Sequence, residues 1–113
     1  MAKGYWVVRV DIDDLEQYKK YIAANASPLN KFGAKFLVRG GSYETVEGGS
    51  RTRNAVIEFK DYETALACYR SSEYQAAIKL RSPVSTADIN AAFAAWRHGS
   101  FELDRGTDIR ERD

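Results

Sequence analysis

A small group of tyrosines, one asparagine and one arginine has chemistry suited to holding a small molecule. The tyrosines and the asparagine lie on two predicted helical regions, and the arginine ends a predicted strand. Tyrosine offers an apolar ring with a hydroxyl at its end. The guanidinium group of arginine can donate two parallel hydrogen bonds to a carboxylate. The sequence therefore predicts a site for a small aromatic or carboxylated ligand between helices and sheet. The residues predicted to form its wall are Tyr18, Asn25, Arg39 and Tyr69, with Tyr21 and Tyr74 on the same helical regions.

Structural explanations compete with a ligand site. Tyr18 and Tyr69 fall on apolar helical stripes, where a tyrosine commonly packs with its hydroxyl at the rim. Arg39 could instead form an ion pair with Glu58 across a subunit interface. Asn25 could satisfy backbone groups near a proline. Both explanations stay open at this point.

The glycines after Arg39 also have two interpretations. Gly40 and Gly41 favour a turn that needs positive φ angles, which glycine adopts without steric cost. An anion-binding nest is the weaker interpretation, because no helix N-terminus directly follows to hold a phosphate. We therefore expect Gly40 and Gly41 to turn the chain, which leaves Arg39 as the candidate ligand contact in this Arg-Gly-Gly stretch.

No catalytic residue can be assigned from the sequence. Glu47 and Glu58 would act as general bases only if they were buried beside a substrate. The single cysteine, Cys68, and the single histidine, His98, fall short of the roughly four ligands that a zinc site needs. We expect no metal and no cofactor. An enzyme, a non-catalytic ligand-binding protein and a structural or partner-interaction dimer all remain open.

Length and charge exclude several classes of protein. The chain has 113 residues, enough for one domain, and its 17 basic against 16 acidic residues give a net charge of +1. No long-range field favours nucleic acid or membrane. The N-terminus resembles neither a signal peptide nor a membrane span. One cysteine cannot form an internal disulfide, so we expect a cytoplasmic protein.

Alternating and helical patterns predict the elements that position these residues. Residues 5–12 alternate as a strand, and a helix follows, with Asp13 and Glu16 at capping-box spacing and Pro28 expected to kink or end it. Its apolar stripe consists of Leu15, Tyr18, Ile22, Ala26 and Leu29.

The middle of the chain predicts more strands and a second helical region. "AKFLVRGG", "SYETVEGG" and "RNAVIEF" are typical of strands, and residues 60–81 are helical with a break at Ser71-Ser72. This order fits the α+β ferredoxin-like split βαβ plan, with an antiparallel sheet, if one more strand follows.

The C-terminal region contains conflicting signals. We expect a short strand at about residues 83–88 and then a helix, because Ser85 is a suitable N-cap, alanines follow and Gly99 is a suitable stop. The predicted division is a ferredoxin-like domain over residues 1–88 and an atypical helix and charged tail over residues 89–113.

The face of the predicted sheet opposite the helices is half apolar. This is unusual for a monomer, because a sheet face exposed to water is normally polar. A second copy packed face to face would cover the apolar side chains and pair the charges, which predicts a homodimer. The predicted dimer face contains Tyr5, Val7, Arg9, Leu37, Val56 and Glu58, with Arg39 beside them.

RNA-recognition modules share the split βαβ topology, so RNA binding is the main alternative function to consider. They stack bases on aromatic residues of the exposed sheet face, at positions where this sequence has Asn54 and Val56. Without that platform we expect no nucleic-acid partner.

Several motifs taken together resemble a known family. "YWVVRVDIDD", "FLVRGG", "VEGG", "NAVIEF" and "ALACYRSSEYQAAIKLR", in this order, are similar to the domain-of-unknown-function thirteen-thirty family, small bacterial proteins of the dimeric α/β-barrel superfamily. The resemblance spans residues 4 to about 88. It implies a ferredoxin-like protomer that pairs as a dimeric α/β barrel, in a superfamily that includes cofactor-free monooxygenases and isomerases as well as haem-binding enzymes. The chain departs from the family after residue 88, where members usually end in a strand.

Overall fold

One antiparallel sheet, covered on one face by helices, makes up the fold of residues 2–93, which are the residues that the computed structural model describes. The four strands lie in the order β2-β3-β1-β4. This arrangement confirms the predicted α+β ferredoxin-like fold. In chain order the elements are β1 Gly4–Ile12, α1 Leu15–Lys31, β2 Lys35–Arg39, β3 Arg53–Phe59, α2 Tyr62–Arg70, α3 Ser72–Arg81, a single 3-10 turn Ser82–Val84, and β4 Ser85–Phe93.

The core lies between the sheet and the helices, and its centre is Trp6 on β1. Strand alternation turns Trp6, Val8 and Val10 inward, and all three are buried as predicted. The Trp6 indole Nε1 donates a hydrogen bond of 2.9 Å to the carbonyl of Ala65, which ties β1 to α2. Its ring lies 5.0 Å from that of Tyr74, so one side chain joins the sheet to two helices.

Helix α1 differs from the prediction at its start and along its length. The N-cap is Asp14, not Asp13, because the Asp14 carboxylate accepts from the backbone N–H of Gln17 at 3.2 Å. The helix continues past Pro28 to Lys31, near the end expected at Gly33, so of the two alternatives at Pro28, a kink or an end, the end does not occur. Pro28 is buried, and its packing in the core offsets the backbone hydrogen bond that proline cannot donate.

The buried face of α1 is rotated relative to the predicted stripe. Leu15 and Ile22 are 53% and 40% exposed, whereas Tyr21 is only 6% exposed. The hydroxyl groups of Tyr21 and Tyr74 lie 2.7 Å apart in a hydrogen bond, which fixes this face of α1 against α3. Packing between the two helices therefore overrides the simple apolar periodicity.

Ser71 separates α2 from α3, which confirms the predicted break. Its hydroxyl donates to the carbonyl of Cys68 at 2.8 Å and accepts from the backbone N–H of Tyr74 at 3.2 Å. One residue thus ends the first helix and caps the second. Within residues 2–93, we find no helix whose length and apolarity would let it cross a lipid bilayer.

The predicted strand "SYETVEGG" does not form. Residues 41–50 are exposed and have no strand structure. In the described part of the chain this segment pairs with no strand, and β2 forms one edge of the sheet. The turn at the glycines is confirmed, because Gly40 and Gly41 have φ angles of 76° and 95°.

The helix predicted after residue 88 is wrong for residues 89–93, which continue β4. The strand pairs with β1 along its whole length, from Ser85 opposite Ile12 to Phe93 opposite Gly4. These pairing partners outweigh the helical preference of the alanines. Residues 94–113, which include His98 and the predicted charged tail, lie outside the described residues.

Candidate functional site

A cavity of about 730 Å³ lies between α1 and the inner face of the sheet. We call it the main cavity. Its walls are mostly aromatic and aliphatic, and its polar groups are hydroxyls, amides and guanidinium groups. The lining residues are Trp6, Val8, Tyr18, Tyr21, Ile22, Asn25, Ala26, Leu29, Asn30, Ala34, Phe36, Arg39, Arg53, Ala55, Ile57 and Tyr74.

A bulge in β2 turns Arg39 into this cavity. Phe36 lies opposite Ile57, but the register then slips, so that Val38 lies opposite Val56 and Arg39 opposite the buried Ala55. The sequence alternation placed Val38 inside and Arg39 on the open face, and the extra residue reverses both. The Arg39 guanidinium carbon lies 4.1 Å from the centre of the Phe36 ring, on the same side of the sheet.

Arg53, at the start of β3, is the second arginine of the main cavity, and the sequence prediction did not include it. Arg53 is two residues before Ala55 and four before Ile57, and both of these point inward. The alternation of β3 could therefore have predicted that Arg53 points inward as well. Gly40 gives it room, because a Cβ atom at Gly40 would lie 2.8 Å from Arg53 Nη1. In residues 2–93, none of the ion pairs involves Arg39 or Arg53.

Tyr18 and Tyr74, which line the main cavity, have raised pKa values and stay neutral at physiological pH. Burial raises the pKa of Tyr18, and the neighbouring Tyr21 adds to this effect, while Arg53 and Arg81 oppose it. Burial also raises the pKa of Tyr74, and Tyr21 contributes in the same direction. Each hydroxyl therefore keeps a proton that it can donate.

The structure brings together three of the four predicted wall residues. Tyr18, Asn25 and Arg39 line the main cavity. Tyr69 does not line it, because its ring packs edge-on against Trp6 at 6.1 Å and faces a smaller cavity beside β4. That any of the four binds a ligand stays a prediction.

The glutamates considered as general bases lie elsewhere. Glu58 is on the opposite face of the sheet, where its Oε2 accepts a hydrogen bond of 3.1 Å from the Tyr5 hydroxyl. Glu47 is exposed in the loop between β2 and β3. Neither carboxylate lines the main cavity.

The face of the sheet away from the helices is partly apolar, as the alternation predicts. We call it the open face. Val7, Leu37 and Val38 are 38%, 49% and 44% exposed on it. Val38 joins this face because of the bulge, in the place where the sequence put Arg39. The other members of the open face are Tyr5, Arg9, Val56 and Glu58.

Solved structures of several small proteins share this fold. A protein of unknown function from Rhodopseudomonas palustris is 13% identical, with a TM-score of 0.66 over 80% of this chain and 81% of that one. SnoaB from Streptomyces nogalater, described as a cofactor-independent oxygenase, is 11% identical, with a TM-score of 0.58 over 88% of this chain and 100% of that one. A dimeric ferredoxin-like protein of unknown function from Thermobifida fusca YX is 14% identical, with a TM-score of 0.52 over 80% and 92% of the two chains.

These identities are low, so the similarity to solved structures concerns the fold. No functionally curated protein matches the chain significantly. A family model does match, over residues 3–94, and so includes β4 as well as the elements before it. The chain therefore belongs to the family described as "Domain of unknown function (DUF1330)".

Proposed function

We propose that this protein binds a small carboxylated aromatic molecule in the main cavity. The observation that carries the proposal is the pair of arginines, Arg39 and Arg53, which line the cavity without an ion-pair partner in the described part of the chain. A guanidinium group that faces a cavity without a carboxylate is suited to bind one from a ligand.

The rest of the cavity fits the apolar part of such a ligand. Its volume of about 730 Å³ is within the range of small-molecule sites. Trp6, Phe36 and Ile57 supply aromatic and aliphatic surface, against which a ring can stack or pack. Tyr18 and Asn25 add a hydroxyl and an amide on one wall, which can fix the orientation of the ligand.

A thermal-shift screen with matched pairs of ligands tests this proposal. Each aromatic carboxylic acid is compared with its neutral amide at equal concentration, because the two differ mainly in charge. We expect the acids to raise the melting temperature and the amides to have little effect. If amides and acids stabilise the protein equally, or if neither does, the carboxylate site is wrong.

Catalysis without a cofactor is a second candidate function. It is supported by the fold shared with a cofactor-independent oxygenase and by the hydroxyls of Tyr21 and Tyr74 in the cavity wall, one of which donates a hydrogen bond to the other, so that one proton stays available to a ligand. Oxygen consumption and product analysis with the acids that stabilise the protein would test it. Binding without turnover of any of them would favour a non-catalytic ligand-binding protein.

A homodimer formed through the open face completes the proposal. Its apolar residues favour removal from water, and its Arg9 and Glu58 supply opposite charges for a two-fold related copy. The ferredoxin-like protein from Thermobifida fusca is described as dimeric, which supports a dimer of this chain. If the protein binds none of the acids, a structural or partner-interaction dimer is the alternative function.

A further inference from the structure

Arg81, the last residue of α3, lies behind the hydroxyl groups of Tyr21 and Tyr74. Both tyrosines line the main cavity, whereas Arg81 is 8% exposed and does not line it. The guanidinium carbon of Arg81 lies 5.4 Å from the centre of the Tyr21 ring. The hydroxyls of Tyr74 and Tyr21 are the hydrogen-bonding partners of this guanidinium group. The two tyrosines therefore separate a buried positive charge from the cavity.

One of the two hydroxyl protons is left over within residues 2–93. A guanidinium group can only donate, so both hydroxyls accept from Arg81. The hydroxyls carry two protons, and the bond of 2.7 Å between their oxygens uses one of them. No other hydrogen bond within the described residues takes the second proton. Because both hydroxyls line the main cavity, that proton is available to an acceptor atom of a ligand.

The charge of Arg81 makes this hydroxyl pair a strong hydrogen-bond donor. Burial raises the pKa of Tyr74, Tyr21 adds to this effect and Arg81 opposes it, while no carboxylate of the described residues contributes. A hydroxyl that accepts from a cation donates its own proton more strongly, because hydrogen bonds in a chain polarise one another. The available proton therefore favours an acceptor oxygen that carries negative charge.

Tyr18 connects the hydroxyl pair to the arginines of the main cavity. Its ring centre lies 5.2 Å from that of Tyr21, and its hydroxyl is a hydrogen-bonding partner of Arg53. The arginines and the hydroxyl pair are thus two separate polar groups in the wall of one cavity. A ligand whose carboxylate binds Arg39 and Arg53 can extend along Tyr18 to the hydroxyl pair.

We propose that the Tyr21–Tyr74 pair binds a phenolate oxygen of the ligand, and that Arg81 is the positioning residue that makes the pair selective for this anion. This role rests on the proposed function, since the ligand must occupy the main cavity. It narrows the ligand class to hydroxylated aromatic acids whose carboxylate and phenol lie at opposite ends of the ring. On binding, the phenol releases its proton to the solvent, and the phenolate then accepts a hydrogen bond from a tyrosine hydroxyl.

The probe for the test is para-hydroxy-meta-nitrobenzoic acid, because its phenolate is yellow and its phenol is not. The full chain is added in excess at fixed pH, and the absorbance gives the ratio of phenolate to phenol. We expect this ratio to be about ten times higher for the bound acid than for the free acid. Arg81→Met removes the charge and should bring the ratio to that of the free acid or below it. Arg81→Lys keeps a charge and should retain part of the increase.

Two double variants locate the phenolate within the cavity. Arg39→Gln/Arg53→Gln, saturated with the acid, should keep the increase, because the phenolate lies at the tyrosines. Tyr21→Phe/Tyr74→Phe should abolish the increase, and it keeps the test independent of whether Arg81→Met folds. An unchanged ratio in the wild type would overturn the proposal. An increase that survives in Arg81→Met, or that is lost in Arg39→Gln/Arg53→Gln, would overturn it as well.

The same ring without its carboxylate, ortho-nitrophenol, separates this proposal from the carboxylate site. We expect it to bind the wild type more weakly than the acid does and to show the same increase in phenolate. Equal affinities, with the increase in both compounds, would overturn the carboxylate site and support the phenolate site. A difference in affinity without the increase would overturn the phenolate site and support the carboxylate site. Binding of neither compound would overturn both.

Discussion

Val38 lies opposite Val56 across the β2–β3 pair, on the open face of the sheet, although strand alternation from the inward-facing Phe36 would turn it towards the core. The slip of one residue places Arg39 opposite Ala55, on the side that faces α1. A single bulge therefore has two effects: it adds an apolar side chain to the predicted dimer face, and it moves a charged one from that face into the main cavity.

Gly40 should be needed both for the turn after Arg39 and for the position of Arg53. Its φ of 76° disfavours any side chain, and an added Cβ would lie 2.8 Å from Arg53 Nη1. We expect Gly40→Ala to lower the free energy of unfolding by about 1–2 kcal/mol and to weaken binding of aromatic acids. Urea denaturation and calorimetric titration measure the two effects.

Gly41→Ala is the matched control for this variant. Gly41 also has a positive φ, of 95°, but nothing lies within 4 Å of its added Cβ. It should lose stability without losing affinity for the acids. Equal losses of affinity in the two variants would show that the space beside Arg53 is unimportant.

The hydrogen bond between Tyr21 and Tyr74 should hold α1 against α3. The two hydroxyls are 2.7 Å apart and buried, so removing one leaves the other without its partner. Tyr21→Phe and Tyr74→Phe should each cost about 1–2 kcal/mol in free energy of unfolding. The double variant should cost less than the sum of the two, by about 0.5 kcal/mol or more. Strictly additive losses in a urea double-mutant cycle would contradict a direct bond.

Cys68 should make stability fall at alkaline pH. Burial raises the pKa of its thiol to about 12. An unfolded cysteine has a pKa of about 8.5, so above that pH the unfolded chain loses a proton that the folded chain keeps. Stability is fully present below pH 8.5 and decreases as the pH rises towards 12.

Cys68→Ala isolates this contribution. Between pH 8 and pH 9.5 the wild type should lose about 1 kcal/mol of unfolding free energy more than Cys68→Ala does. Urea denaturation at several pH values below 9.5 avoids the range in which tyrosines ionise. Parallel pH dependence in the two proteins would mean that the thiol does not titrate differently in the folded and unfolded states.

The open face should carry the dimer contact. Val7, on the central strand β1, is 38% exposed there, and Val7→Glu would place a charge in the middle of that face. Light scattering during size-exclusion chromatography should give twice the mass of the chain for the wild type. For Val7→Glu at the same concentration it should give the mass of one chain.

Leu15→Glu is the control for the dimer experiment, because Leu15 is 53% exposed at the start of α1, away from the open face. It should remain dimeric. A wild-type protein that elutes as a monodisperse monomer would contradict the dimer and leave the open face unexplained.

The sequence predicted the parts of the fold in which local pattern and long-range pairing agree. The alternation of β1 and the inward positions of Ile57 and Phe59 on β3 were correct, because each strand has one buried face. The helix break at Ser71 was correct because its capping chemistry is local.

The errors arose where tertiary contacts override local signals. The alanines after residue 88 favour a helix, but nine residues of β4 pair with β1. Tyr21 replaces Ile22 on the buried face of α1 because Tyr74 on another helix bonds to it. A strict two-residue alternation cannot predict the bulge in β2. The inward direction of Arg39, and its place in the same cavity as Arg53, could therefore be found only from the structure.

Isothermal titration calorimetry with the most stabilising aromatic acid tests the central claim most directly. The wild type is compared with Arg39→Gln/Arg53→Gln and with Arg70→Gln, which changes an exposed arginine at the end of α2 that does not line the main cavity. Loss of two charged hydrogen-bonding partners should weaken binding by at least about tenfold, and Arg70→Gln should bind as the wild type does. Equal affinity in all three proteins would contradict the assignment of the main cavity as a carboxylate site.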